Sequence, residues 1–150
     1  MKTAILRLAV VSTSAVLLAG CANAPSVDMA AAREWVDTLE AEPEDPRDVA
    51  TLGMQVDTDT SPDSEVRADV TDPIRIAHVE VRCFGDGDVS ATVTVSLLGG
   101  HDGTRALSQE IPCDTEPHRI VFDGASADGV TLQGTATAPT YLYATAVAKQ

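Results

Sequence analysis

The chain has 150 residues, and 23 acidic side chains against 10 basic ones give it a formal net charge of −13. A surface so acidic repels phosphate backbones, which argues against nucleic acid as a partner, and it repels anionic lipid headgroups too. The acidity suits solubility outside a membrane, and a solvated acidic face accounts for it without a metal or a cationic ligand.

The amino terminus comes first in chain order. Lys2 and Arg7 supply positive charge, Leu8 to Gly20 is apolar apart from Ser12, Thr13 and Ser14, and small residues lead up to Cys21. A basic start, a short apolar stretch and a small-residue end describe a secretory signal peptide. The apolar run is shorter than the roughly 20 residues that span a bilayer. Its last residues, Leu18-Ala19-Gly20-Cys21, resemble the lipobox of bacterial lipoproteins. That resemblance implies a signal peptide over 1–20, cleavage before Cys21, and lipidation of the Cys21 sulfur. Acyl chains of the palmitate class would then hold the protein to the membrane. Each buried methylene contributes about 0.8 kcal/mol, so two chains anchor durably where one does not. Lys2 and Arg7 are not adjacent, so the twin-arginine signal is absent and ordinary unfolded export is expected.

Ala22 to Pro25 reads as a spacer. Ser26 is a candidate helix cap with Asp28 in the first turn, and Met29, Ala32, Val36 and Leu39 recur at three- and four-residue steps. This predicts a helix over about 26–41, with Trp35 beside the apolar stripe and Arg33, Glu34, Asp37 and Glu40 largely opposite. It should stop before Pro43. Ala41 to Asp48, acidic and carrying Pro43 and Pro46, reads as a linker. The span 21–50 is therefore expected to be a lipidated tether with a helix, and 51–150 the globular domain.

From Thr51 the hydrophobic period becomes two. Val89, Ala91, Val93, Val95 and Leu97 alternate with Ser90, Thr92, Thr94 and Ser96, which predicts an inward apolar face and an outward hydroxyl face. Ala77, Val79, Val81 and Cys83 alternate with His78, Glu80 and Arg82. Ile74 and Ile76 are out of phase with that set, which predicts a bulge near Ala77. Further strands are expected at 52–57, 65–70, 105–111, 118–123, 130–137 and 141–148. Turn signals separate them at Pro62-Asp63, Asp72-Pro73, Gly85 to Asp88, Gly99-Gly100, Asp123-Gly124 and Asp128-Gly129. The Gly85–Asp88 turn is expected to join its flanking strands as a hairpin. The fold class is all-β, an antiparallel β-sandwich with one short N-terminal helix after the cleaved signal peptide.

With Cys21 committed to lipid, Cys83 and Cys113 form an even pair in an oxidising compartment and are expected to be bonded. A loop of about 31 residues gives roughly 3.5 kcal/mol by the chain-entropy model, with Cα atoms about 4.4–6.8 Å apart. Both cysteines lie at strand ends, where a bridge clamps neighbouring strands or two sheets. The only Trp, Trp35, lies upstream of both, so the immunoglobulin pattern is not matched. Val79-Glu80-Val81-Arg82-Cys83-Phe84-Gly85, the Thr/Val strand and Ile111-Pro112-Cys113-Asp114 are similar to small actinobacterial surface lipoproteins, a likeness that implies no particular activity.

Catalytic constellations are weak. His78, His101 and His118 are scattered, and each reads as a surface histidine. Asp57-x-Asp59-x-Ser61-x-Asp63 begins like a calcium loop, but Pro62 stands where Gly is needed and Ala68 where the bidentate Glu belongs. Asp86 and Asp88 are weak metal candidates on a turn that favours Asp for backbone reasons. Tyr141 and Tyr143 share one strand face and, with Trp35, are the weak candidates for ligand binding; half-buried core edges suit them better. No cofactor is expected. The reading is an extracytoplasmic lipoprotein, held to the cell membrane through Cys21, with a non-enzymatic binding or structural role. Its rivals are a carbohydrate- or peptidoglycan-binding module, which needs those aromatics exposed, and an accessory subunit of an envelope enzyme, which needs a pocket gathering a His with carboxylates.

Overall fold

The computed structural model describes residues 26–59, 65–99 and 103–150. Cys21 with its lipobox, Ser61, Asp63 and His101 lie outside the described residues.

Helix α1 spans Met29–Glu40. The Asp28 carboxylate caps it, accepting from the Ala30 amide at 2.9 Å and the Ala31 amide at 3.1 Å. Those are the second and third helical amides, the donors a capping side chain reaches. Asp28, not Ser26, is therefore the cap, and the helix begins later than the expected residue 26. It ends at Glu40, ahead of Pro43. Ala32, Val36 and Leu39 are buried, as the stripe implies.

Six strands follow: β1 (Asp48–Val56), β2 (Glu65–Cys83), β3 (Ser90–Leu98), β4 (Arg105–Pro112), β5 (His118–Ala136) and β6 (Thr140–Ala148). All pair antiparallel, in the order β1-β6-β2-β5-β3-β4. β1 starts at Asp48, slightly before the expected domain boundary at 51.

β2 and β5 are 19 residues each and belong to both layers of a sandwich. The later part of β2 pairs with β6 and with the beginning of β5; its early part, Glu65–Asp69, pairs with Gly129–Gln133 of β5, which in turn pairs with β3. The first layer is thus β1, β6, late β2 and early β5. The second is early β2, late β5, β3 and β4. Each long strand turns the corner at a register shift. Asp69 pairs with Gly129 and Ile74 with Ala127, which leaves extra residues around Asp72-Pro73 on β2. Ile76 pairs with Ala125 and His78 with Val121, which places the Asp123-Gly124 bulge on β5. Asp123 and Gly124 both take positive φ, 55° and 81°. Asp72-Pro73, Asp123-Gly124 and Asp128-Gly129 were expected to end strands. Instead they lie within long strands, two of them at the bends, because a bulge makes the same demand for Asp, Gly and Pro as a turn. The shift against both neighbours between Ile76 and His78 is the bulge that the phase change near Ala77 implies.

The core lies between the layers. Val89, Ala91, Val93, Val95 and Leu97 are all at most 2% exposed, and they share the interior with Val79, Val81, Phe122, Leu132 and Leu142. The layers meet closely at Gly134 of β5, where a Cβ would stand 2.5 Å from Leu142 Cδ1 and 3.3 Å from Val56 Cγ1 of the facing layer.

The Gly85–Asp88 turn is not a hairpin. β2 and β3 are not neighbours, so the segment carries the chain from the first layer to the second. The Cys83–Cys113 disulfide sits at that crossing, with a Cα–Cα distance of 4.3 Å, at the short end of the expected range. It joins the end of β2 in one layer to the residue after β4 in the other. Backbone hydrogen bonds from Gly87 to Cys113, Cys113 to Val89 and Thr115 to Cys83 surround it. At the same end, the Ala136 amide donates to Asp57 beyond β1.

Candidate functional site

Side chains alternate along β6, β1 and late β2, so one set faces the core and the other forms the outer face of the first layer. Tyr141, Tyr143 and Thr145 of β6, Thr51 and Gly53 of β1, and His78, Glu80 and Arg82 of β2 make up that outer set. α1 lies across it. Val36, Leu39 and Tyr143 form a small apolar cluster of their own, with Trp35 and Tyr141 packed against it. Gly53 makes room for the helix: a Cβ there would be 3.8 Å from Tyr143 and 3.9 Å from Val36. Arg33 Nη2 donates to the Tyr141 hydroxyl at 3.1 Å, and the Trp35 ring meets Phe84 at 5.5 Å between centroids.

The helix creates two concavities. Beyond its C-terminal end a cleft of about 220 Å³ is lined by Glu40, Glu42, Glu44, Asp48, Glu80 and Arg82, with Tyr143 and Thr51 in its wall. Burial, with the nearby carboxylates of Glu40, Glu42 and Asp48, raises the Tyr143 phenol above its ordinary value. The loop into β1 is fastened by Arg47, which binds Asp45 through its side chain and its amide and lowers that carboxyl to about 2. The second concavity, about 230 Å³, lies at the helix N-terminus between Ser26, Val27, Asp28 and Phe84, Gly85, Asp86.

Tyr141, Tyr143 and Trp35 are thus brought together, but beneath and beside α1 rather than on an open platform. Tyr143 is 8% exposed. His78 stands 3.5 Å from Glu80, which Arg119 also binds at 2.9 Å. His118 bonds Asp114 at 3.0 Å, and this bond is the main reason the Asp114 carboxyl lies below its usual range. His78 and His118 contact separate carboxylates, those of Glu80 and Asp114, and share no pocket with each other. Asp86 and Asp88 are exposed on the crossing, and the Asp86 carboxylate accepts from the Asp88 amide at 3.4 Å. Among the described residues no three acidic, His or Cys side chains gather at metal-binding distance. The cleft can present carboxylates, one guanidinium and the hydroxyl groups of Thr51, Tyr143 and Thr145 to a polar ligand. Sequence reading missed Arg33 and Phe84 as partners of the aromatics. Their contacts exist only because α1 docks, and nothing local in the sequence encodes the docking partner of a helix.

No protein-family model and no curated protein matches the sequence. Among solved structures, the chain is similar to the CBM32 of AlyQ, described in complex with 4,5-unsaturated mannuronic acid. That likeness has a TM-score of 0.42 at 10% identity and covers 65% of this chain and 94% of the other. PirA is similar at a TM-score of 0.38 and 14% identity, over 71% of this chain and 98% of that one.

Proposed function

We propose that this chain is a cell-envelope lipoprotein, anchored through lipid on Cys21, whose β-sandwich serves as a non-enzymatic binding or structural module. One observation carries the reading. The disulfide takes up Cys83 and Cys113, so of the three cysteines only Cys21 is left for other chemistry. That cysteine ends the lipobox-like Leu18-Ala19-Gly20-Cys21, a few residues before the domain begins. A buried disulfide also agrees with export to an oxidising space.

Mass spectrometry of the membrane fraction tests the anchor. Wild-type protein should begin at Cys21 and carry acyl chains, and Cys21→Ser should be unprocessed or shed. An unmodified Cys21 in the mature protein would refute the reading.

A further inference from the structure

An anchor at Cys21 fixes which way the sandwich points. Val27 packs against the main core, Asp28 caps α1, and both line the groove with Phe84, Gly85 and Asp86. The chain therefore joins the folded domain at Val27, at the end where the disulfide ties the two layers. From there α1 runs over the first layer, and the loop after it reaches β1 at Asp48, which pairs with Val147 at the opposite end. From Cys21 to Ser26 the chain takes only five residue steps. At 3.3–3.6 Å per residue they reach at most about 18 Å, whatever their conformation. β3 and β6, at nine residues each, are about 30 Å long by the ordinary strand rise. The tether is shorter than the domain, so the protein cannot turn its far end to the lipid.

We infer that the disulfide end of the sandwich is the membrane-facing surface and that the opposite end, with the Asp72-Pro73 and Asp123-Gly124 bends, points away from the bilayer. This rests on the anchoring reading above. The near end exposes Asp86, Asp88 and Glu116. Anionic headgroups repel such a surface, and the repulsion decays over a Debye length of about 8–10 Å, so the tether and not adhesion holds it there. The bends are left as the part of the molecule that an extracellular partner meets first.

The test uses the full lipidated protein, purified from membranes and placed in vesicles of phosphatidylcholine and phosphatidylglycerol that carry a nitroxide headgroup lipid. A fluorophore is attached to Glu116→Cys or, separately, to Asp72→Cys; Cys83 and Cys113 are buried and bonded and do not compete for it. Quenching should be several-fold stronger at position 116 than at 72. A flexible Gly/Ser insert between Pro25 and Ser26 should weaken quenching at 116 and narrow the difference. Equal quenching at both positions, or stronger quenching at 72, in protein whose Cys21 lipid is verified by mass would overturn the orientation and leave the anchor standing. Unchanged quenching at 116 after the insert would overturn the tether as the cause of the orientation, since the surface itself would then be adhering. Protein that lacks lipid on Cys21 and fails to float with the vesicles would overturn both.

Discussion

Gly85 shows how much one residue carries at the crossing between layers. A Cβ there would lie 2.5 Å from the Cys113 carbonyl oxygen and 2.9 Å from Cys113 Cβ. Both are tied to the disulfide and to the hydrogen bond from Gly87, so neither can yield freely. Gly85→Ala should therefore cost about 1–3 kcal/mol, the usual range for overpacking, and lower the thermal midpoint. An unchanged midpoint would show that the crossing has room to spare. Asp114, beside it, gives a pH-dependent counterpart. Its carboxyl is held below the ordinary value of about 3.9, chiefly by the bond to His118. A depressed carboxylate contributes stability above its unfolded pKa and loses it as pH falls toward the folded one. The stability gap between wild type and Asp114→Asn should be present at neutral pH and should narrow below about pH 4. Denaturant melts across that range check it, and a gap that widens in acid would contradict the sign. Neither role was legible beforehand. Gly85 read only as a turn residue, because the Cys113 atoms that crowd it lie far along the chain; Asp114 was singled out for no role, and its partner His118 read only as a surface histidine.

The elements divide by how local their cause is. β3 was fully legible: alternation over Val89 to Leu97 needs no knowledge of the partner strands, and every apolar position is buried. The bulge near Ala77 was legible for the same reason, as a break in phase. The merging of two expected strands into β2, and of two into β5, was not, since only pairing across the sheet decides whether Asp-Pro or Asp-Gly reverses the chain or bends it. α1 falls between these cases. Its stripe predicted the buried side, and not the seat the helix takes on the sandwich over Tyr143. Its apolar cluster is separate from the main core. Val36→Asp, which puts a charge into that cluster, should forfeit the burial of the valine, about 1.5–3 kcal/mol, and release the helix while the sandwich stays folded. Trp35 is the only tryptophan, so its emission reports the event directly. A red shift with an intact β-sheet circular dichroism signal is expected. Loss of both together would show that the helix is integral to the sandwich core.

At the scale of the whole molecule, the two layers are joined in different ways at their two ends. At one end β2 and β5 pass continuously from layer to layer around the Asp72-Pro73 and Asp123-Gly124 bends, so both corner connections there are made by backbone alone. At the other end the chain crosses at Gly85–Asp88, and the covalent link between the layers is Cys83–Cys113. The bridge closes 30 residues of sequence separation, which includes all of β3 and β4, and without it those strands are held to the first layer by packing and by the crossings. The chain-entropy model assigns such a closure about 3.5 kcal/mol, against a total of about 5–15 kcal/mol for a domain. The double variant Cys83→Ala, Cys113→Ala should thus unfold at a midpoint lower by on the order of 10–20 °C. Loosening should begin at the disulfide end, so amides of Gly87 and Thr115 and the amide at position 113 should lose hydrogen-exchange protection before those of Val79 or Val93, while the bent end keeps its own. Thiol titration of denatured, unreduced wild type should find neither Cys83 nor Cys113 free. A midpoint within a few degrees of wild type, with protection unchanged at Gly87 and Thr115, would mean that packing alone holds the layers together at this end.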